Sequence, residues 1–255
     1  MNFSGISNET FLGRALRLPL RMIPNSMPMR VLQGPLRGKK WIAGSSNHGC
    51  WLGTYEYSKQ KAFAAAVRRG DVVYDLGANV GFYSLLACVL AGPEGRVFSF
   101  EPVPRNVALL RKHLRMNRAT NCTVIEAAVG GSEGIAQFDV SSEASMGHLT
   151  GEAESGLAVR VVTLDGMVSS GQLPPPNVVK CDIEGAEFDL LDSPRFGETV
   201  SQTNQICIEF HHRWREFGKL KTVAAVARLR KLGFVVAWVS PSNEEALLVR
   251  TGVFA

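Results

Sequence analysis

A chain of 255 residues, 45% of them apolar, can bury a large core, yet no apolar run approaches the ~20 residues of a membrane-spanning helix. Five scattered cysteines (Cys50, Cys88, Cys122, Cys181, Cys207) lack C-x-x-C or other ligand spacing, which argues against a disulfide framework or thiolate metal site. That usage suits a reducing, cytoplasmic compartment. The net charge of +5 gathers in residues 1–40, with seven basic residues and one acid, so the rest of the chain is close to neutral.

Taken in chain order, residues 1–40 read as a basic arm. Phe11, Leu12, Ala15, Leu16 and Leu18 would form one face of a short helix, capped by Ser7 or Asn8 and stopped by Pro19. A first helix packed on the domain is the preferred reading. Weak contact with a membrane surface or an acidic partner fits the same pattern, as does a transit peptide. Residues 41–70 read as a lead-in, with 41–43 and 49–52 as a small hairpin and 56–67 as a helix. Residues 71–255 form the main domain.

That domain opens on Asp71 to Ser84, D-V-V-Y-D-L-G-A-N-V-G-F-Y-S. Val72, Val73, Tyr74 and Leu76 predict a buried strand; Asp75 leads the turn Gly77-Ala78-Asn79-Val80-Gly81, and a helix runs from Phe82 to about 90. Glu101 follows Gly81 by 20 positions, at the end of a second apolar strand over 97–100. An α/β nucleotide fold places a carboxylate there to accept hydrogen bonds from ribose hydroxyls. Turn and acid together predict a ligand built on a nucleoside. A dinucleotide fingerprint would need glycine at 79 and 82; Asn79 and Phe82 leave little room for a pyrophosphate.

The remainder alternates helices and strands, which predicts a mostly parallel sheet with helices on both faces. A helix over 104–117 carries an apolar stripe (Val107, Leu110, Leu114) and a wet basic face, with no interleaved aromatics to suit nucleic acid. A third strand covers 122–129, so that Ala127 and Ala128 end it. Residues 135–140 and 157–163 alternate as an added hairpin around a polar loop, 141–156, expected to be mobile. Strands over 178–181, 206–210, 234–239 and 246–250 follow, with a helix over 222–232 and the last two strands antiparallel.

Two clusters sit at strand ends. Lys180-Cys181-Asp182-Ile183-Glu184-Gly185-Ala186-Glu187 brings carboxylates to the C-terminal edge of a central strand, where ligands of α/β sheets bind. Burying acids there is costly without a role, so Asp182 and Glu184 are candidate site residues. Glu187 more simply caps the next helix. Glu209-Phe210-His211-His212 ends the following strand, and a neutral His211 there suits proton removal near pH 7.

The D-x-G-x-N-x-G turn resembles motif I of the class I S-adenosylmethionine (SAM) methyltransferases. Together with F-E-P, K-C-D-I-E-G-A-E, I-E-F-H and the upstream Gly53-Thr54-Tyr55-Glu56, in that order, it resembles the FkbM family. The match runs from about Trp51 to Val239. The resemblance implies a Rossmann-like class I fold with a seven-stranded, mostly parallel sheet containing one antiparallel strand. It implies SAM as cofactor and methyl transfer to hydroxyls of sugars or secondary metabolites. Asp75, Gly77, Ala78, Asn79, Gly81, Glu101, Pro102, Ala127, Ala128 and Asp182 would then bind the cofactor. Asp182, Glu184 and His211 would face the acceptor, with His211 as base and no metal required. A metal-dependent O-methyltransferase and a non-catalytic SAM-binding protein are the alternatives.

Overall fold

A computed structural model describes residues 20, 22–138, 149–150, 156–211 and 218–252. The arm helix and His212 lie outside the described residues, as does most of the 141–156 loop. The chain enters through β1 (Pro28–Arg30) and β2 (Lys40–Ile42), which pair antiparallel, followed by α1 (Gly49–Leu52) and α2 (Tyr57–Ala66). The expected hairpin of 41–43 with 49–52 is therefore corrected. Residues 40–42 pair with β1, and 49–52 is a helical turn whose Cys50 and Trp51 are buried. The arm boundary at 40 falls inside this pairing, and Val31 and Leu36 are already core.

The main sheet begins with β3 (Val72–Leu76), α3 (Phe82–Ala91), β4 (Arg96–Phe100), α4 (Pro104–Met116) and β5 (Cys122–Ile125). The third strand stops short of its expected end. Ala127 N–H donates to the Ile125 carbonyl at 2.9 Å, a tight turn that swings Glu126 out to pair with Arg111. Ala128 thus belongs to β6 (Ala128–Val129), which joins a second sheet with β7 (Gly134–Phe138), β8 (Leu149–Thr150) and β9 (Leu157–Val162), in the order β6-β9-β7-β8. Strands β7 and β9 pair antiparallel from Gly134↔Val161 to Phe138↔Leu157, as the alternating pattern predicts.

Then come α5 (Leu164–Ser169), β10 (Val178–Cys181), α6 (Glu187–Asp192), α7 (Phe196–Thr199), β11 (Gln205–Glu209), α8 (Gly218–Lys231), β12 (Phe234–Val239) and β13 (Glu245–Arg250). The seven-stranded sheet has the order β12-β13-β11-β10-β3-β4-β5. All neighbours pair parallel except β13, which runs antiparallel between β11 and β12. This is the Rossmann-like class I methyltransferase fold. One apolar layer includes Trp41, Phe63, Leu85 and Leu110; the other includes Tyr74, Phe100, Leu191 and Phe234. Each such side chain contributes roughly 1.5–3 kcal/mol by leaving water. Order β10-β3-β4 sets the C-terminal ends of three parallel strands side by side, and the site forms there.

Candidate active site

The turn after β3 is shaped by three left-handed residues, Gly77 (φ 72°), Asn79 (φ 50°) and Gly81 (φ 92°), a region that asparagine tolerates better than most side chains. A Cβ on Gly77 would lie 1.8 Å from the Asp182 carbonyl oxygen, so glycine lets the two strand-end loops touch. Glu101, 4% exposed, accepts from the N–H groups of Asn79 (2.7 Å) and Val103 (2.9 Å) and from the Asn106 amide (3.2 Å). An ionised carboxylate offers about four acceptor positions, so one remains for a ligand hydroxyl. Burial raises the Glu101 pKa, against the lowering effect of these bonds.

At the other end, His211 Nδ1 meets Glu187 Oε1 at 2.7 Å. Glu187 Oε1 also accepts from the N–H groups of Ile183 and Gly185, each at 3.1 Å, which pins the loop carrying Glu184. The imidazole Nε2 faces Glu184 (3.4 Å), Asp182 (3.6 Å) and Glu209 (3.6 Å). Burial lowers the His211 pKa, but Glu187, Asp182 and Glu184 overcome it and raise the value to about 9. This corrects the expectation of a neutral imidazole near pH 7: the carboxylates around the ring hold its proton. Glu184, pushed up by burial against the pull of His211, reaches about 7. For Asp182, burial is outweighed by Lys180, Lys59 and His211, which hold it well below the usual carboxylate range.

Beneath both ends lies a cation layer. Lys180 Nζ donates to the Gly77 carbonyl at 3.0 Å and pairs with Asp182 (3.4 Å) and Asp75 (3.5 Å). Lys59, from α2, pairs with Glu209 (2.5 Å), Glu56 (3.2 Å), Glu245 (3.3 Å) and Asp182 (3.4 Å).

A cavity of about 1020 Å³ joins the two ends. Gly77, Ala78, Asn79, Glu101, Pro102, Ala127, Ala128, Asp182, Glu184 and His211 all line it. Two expected cofactor contacts do not. Asp75 is fully buried below the turn, where it accepts from the Ser84 hydroxyl at 2.6 Å and pairs with Lys180. Gly81 faces α4, and a Cβ there would meet Leu110 Cδ1 at 2.2 Å, so this glycine serves helix packing. Both belong to the motif through the turn's support. Sequence reasoning missed Lys59 and Glu245, named Glu56 only as part of the lead-in motif and gave Glu187 only a capping role. A lysine amid the buried positions of α2 (Lys59, Gln60, Phe63, Ala66) was the one available signal.

The FkbM methyltransferase domain matches residues 75–236, well over half of the chain. The chain belongs to the FkbM methyltransferase family. SAM is accordingly its cofactor, and the site fits it. Glu101 keeps a free acceptor position, Ala127 and Ala128 leave a flat apolar wall, and acids outnumber cations around the cavity, which suits a sulfonium. Among relatives, the hexuronic acid methyltransferase AglP of Haloferax volcanii is 30% identical over 142 residues, 55% of this chain and 56% of that protein. The chain thus spans about half the length of that relative. The 31-O-demethyl-FK506 methyltransferase FkbM of Streptomyces tacrolimicus is 41% identical over 66 residues, 24% of this chain and 25% of that protein. The crystal structure of FkbM from Methylobacillus flagellatus aligns with a TM-score of 0.48 at 16% identity, covering 80% of this chain and 55% of that one.

Proposed function

We propose that this FkbM-family protein transfers the SAM methyl group to a hydroxyl oxygen of a sugar or another small-molecule alcohol, with His211 as general base. The observation that carries the reading is that the Glu101-bearing turn and the His211 cluster line one cavity. Gly77, Ala78, Asn79, Glu101, Pro102, Ala127 and Ala128 would hold the cofactor. When bound, SAM supplies a methyl group already activated by its sulfonium. What remains for the protein is to align the acceptor oxygen and to accept one proton.

The His211 wall is built for that second task. Glu187 can only accept a hydrogen bond, so Nδ1 of His211 must donate to it. The neutral ring then presents a lone pair on Nε2, the nitrogen nearest the cavity-lining Asp182, Glu184 and Glu209. Carboxylates raise its affinity for the proton, so a small neutral fraction at pH 7 is a stronger base than ordinary imidazole. Asp182, held ionised by two lysines, is too weak a base and instead orients the acceptor side. The activities of two relatives, toward hexuronic acid and toward a demethylated FK506, support a hydroxyl-bearing acceptor.

Incubation with SAM and a panel of glycan and polyketide alcohols, read by mass spectrometry, tests the reading. It expects S-adenosylhomocysteine together with an O-methylated product. Methylation of nitrogen acceptors only, or none across the panel, would overturn it.

A further inference from the structure

We infer that Lys59 is a positioning residue for methyl transfer, its ammonium fixing the Asp182 and Glu209 carboxylates on the His211 wall of the cavity. The inference rests on the hydroxyl-transfer reading above. Lysine is almost never fully buried unless it is paired, and Lys59 is 1% exposed. The geometry of its pairs is specific. Asp182 places Oδ2 at 3.4 Å from the Lys59 ammonium and Oδ1 at 3.6 Å from His211 Nε2. Glu209 repeats the arrangement, with Oε2 at 2.5 Å from Lys59 and Oε1 at 3.6 Å from His211. Each carboxylate therefore bridges the lysine and the histidine, one oxygen to each.

Lys59 does not line the cavity, so it acts through these acids and not on the acceptor. Its remaining partners are Glu56, at the N-terminus of its own helix, and Glu245 on β13. The Tyr83 ring on α3 lies 5.6 Å from its ammonium. Glu56, Glu209 and Glu245 bring carboxylate oxygens within 4.8 Å of one another, a convergence that requires a cation nearby. Lys59, Glu56 and Glu245 all lie outside the residues 75–236 that match the family domain. The lead-in helix and the antiparallel strand thus bring charged residues to the site from outside that matched segment.

The test compares Lys59→Met, Lys59→Arg and wild type in three readouts: calorimetric SAM affinity, kcat and KM for the acceptor, and the NMR resonance of the His211 imidazole without ligands. The expectation is a kcat lowered about 10²-fold in Lys59→Met, the scale of a misplaced catalytic group, with SAM affinity and KM near wild type. Lys59→Arg, which keeps a cation, recovers most of the rate. The His211 resonance shifts in the Met variant and returns toward wild type in the Arg variant, a readout that stands even if the alcohol acceptors fail. Should Lys59→Met not fold, Lys59→Met/Glu245→Gln, which leaves the cluster's net charge unchanged, carries the same expectation. Wild-type kcat and resonance in a folded variant, or Arg and Met variants impaired alike, would overturn the inference. Wild type that binds SAM but methylates no alcohol would defeat the hydroxyl-transfer reading and leave the NMR comparison to decide the role of Lys59.

Discussion

At the cofactor end of the cavity, the turn after β3 is held by backbone hydrogen bonds: Glu101 takes the N–H groups of Asn79 and Val103, and Gly77 packs against the Asp182 carbonyl. At the other end, Asp182, Glu184, Glu187 and Glu209 are held around His211 and Lys59 by charge. The first end is fixed by local chain conformation. The second exists only once α2, β10, β11 and β13 have come together. Such a division lets one scaffold keep its cofactor while the chemistry beside it is tuned.

The sharpest way to break this comparison is His211→Ala. A general base contributes typically 10²–10⁴-fold, so kcat should fall by about that factor while calorimetric SAM affinity stays near wild type. In the wild type the rate should rise with pH toward about 9, the value to which the surrounding carboxylates lift His211. A loss of affinity equal to the loss of rate would mean that the two ends are not separate. Glu101→Ala probes the opposite end. One lost charge-assisted hydrogen bond to ribose, at about 1.5–3 kcal/mol, should weaken SAM binding at least tenfold. The melting temperature should also fall, because the Asn79 and Val103 N–H groups lose their acceptor. Unchanged affinity with the fold intact would remove Glu101 from the ribose.

Smaller effects sharpen the comparison. Gly81→Ala forces a side chain to φ 92° against Leu110 and should cost about 1–3 kcal/mol of stability in urea titration. Cofactor affinity of the folded fraction should be retained, since Gly81 does not line the cavity. A large affinity loss without destabilisation would return it to the ligand. Smallest of all, a chelator should leave turnover unchanged, because Lys59 and a protonated His211 already supply positive charge among the acids. Activity abolished by chelator and restored by magnesium would instead assign the Asp182 side to a metal.

The same division decides what was legible in the sequence. The turn from Asp75 to Gly81 and the acid at 101 are adjacent or regularly spaced, and strand and helix periodicity placed β3, α3, β4, α4, β12 and β13 to within a residue or two. Local rules failed where short segments lacked period. Residues 49–52 form a helical turn because Gly53 (φ 77°) closes it, not a strand. The third strand breaks at Glu126, where the Ala127 N–H turns back to the Ile125 carbonyl and leaves the ladder. Lys59, Asp182, Glu209 and Glu245 sit too far apart in the chain for any spacing rule, and only the β10-β11-β13 order with α2 packed on it unites them. The same assembly turned His211 from an expected neutral base into a caged cation: Glu209 is near in sequence, but Glu187 and Asp182 arrive from another strand end.

The most direct test of a charge-built His211 end is an NMR titration of histidine-labelled protein without ligands, with His211→Ala used to assign the resonance. Four carboxylates within 3.6 Å of its ring predict a His211 midpoint near the raised value of about 9. Glu187→Gln, which removes the closest charge, should lower that midpoint. A His211 midpoint at the ordinary imidazole value of ~6.5, unmoved by Glu187→Gln, would contradict the account.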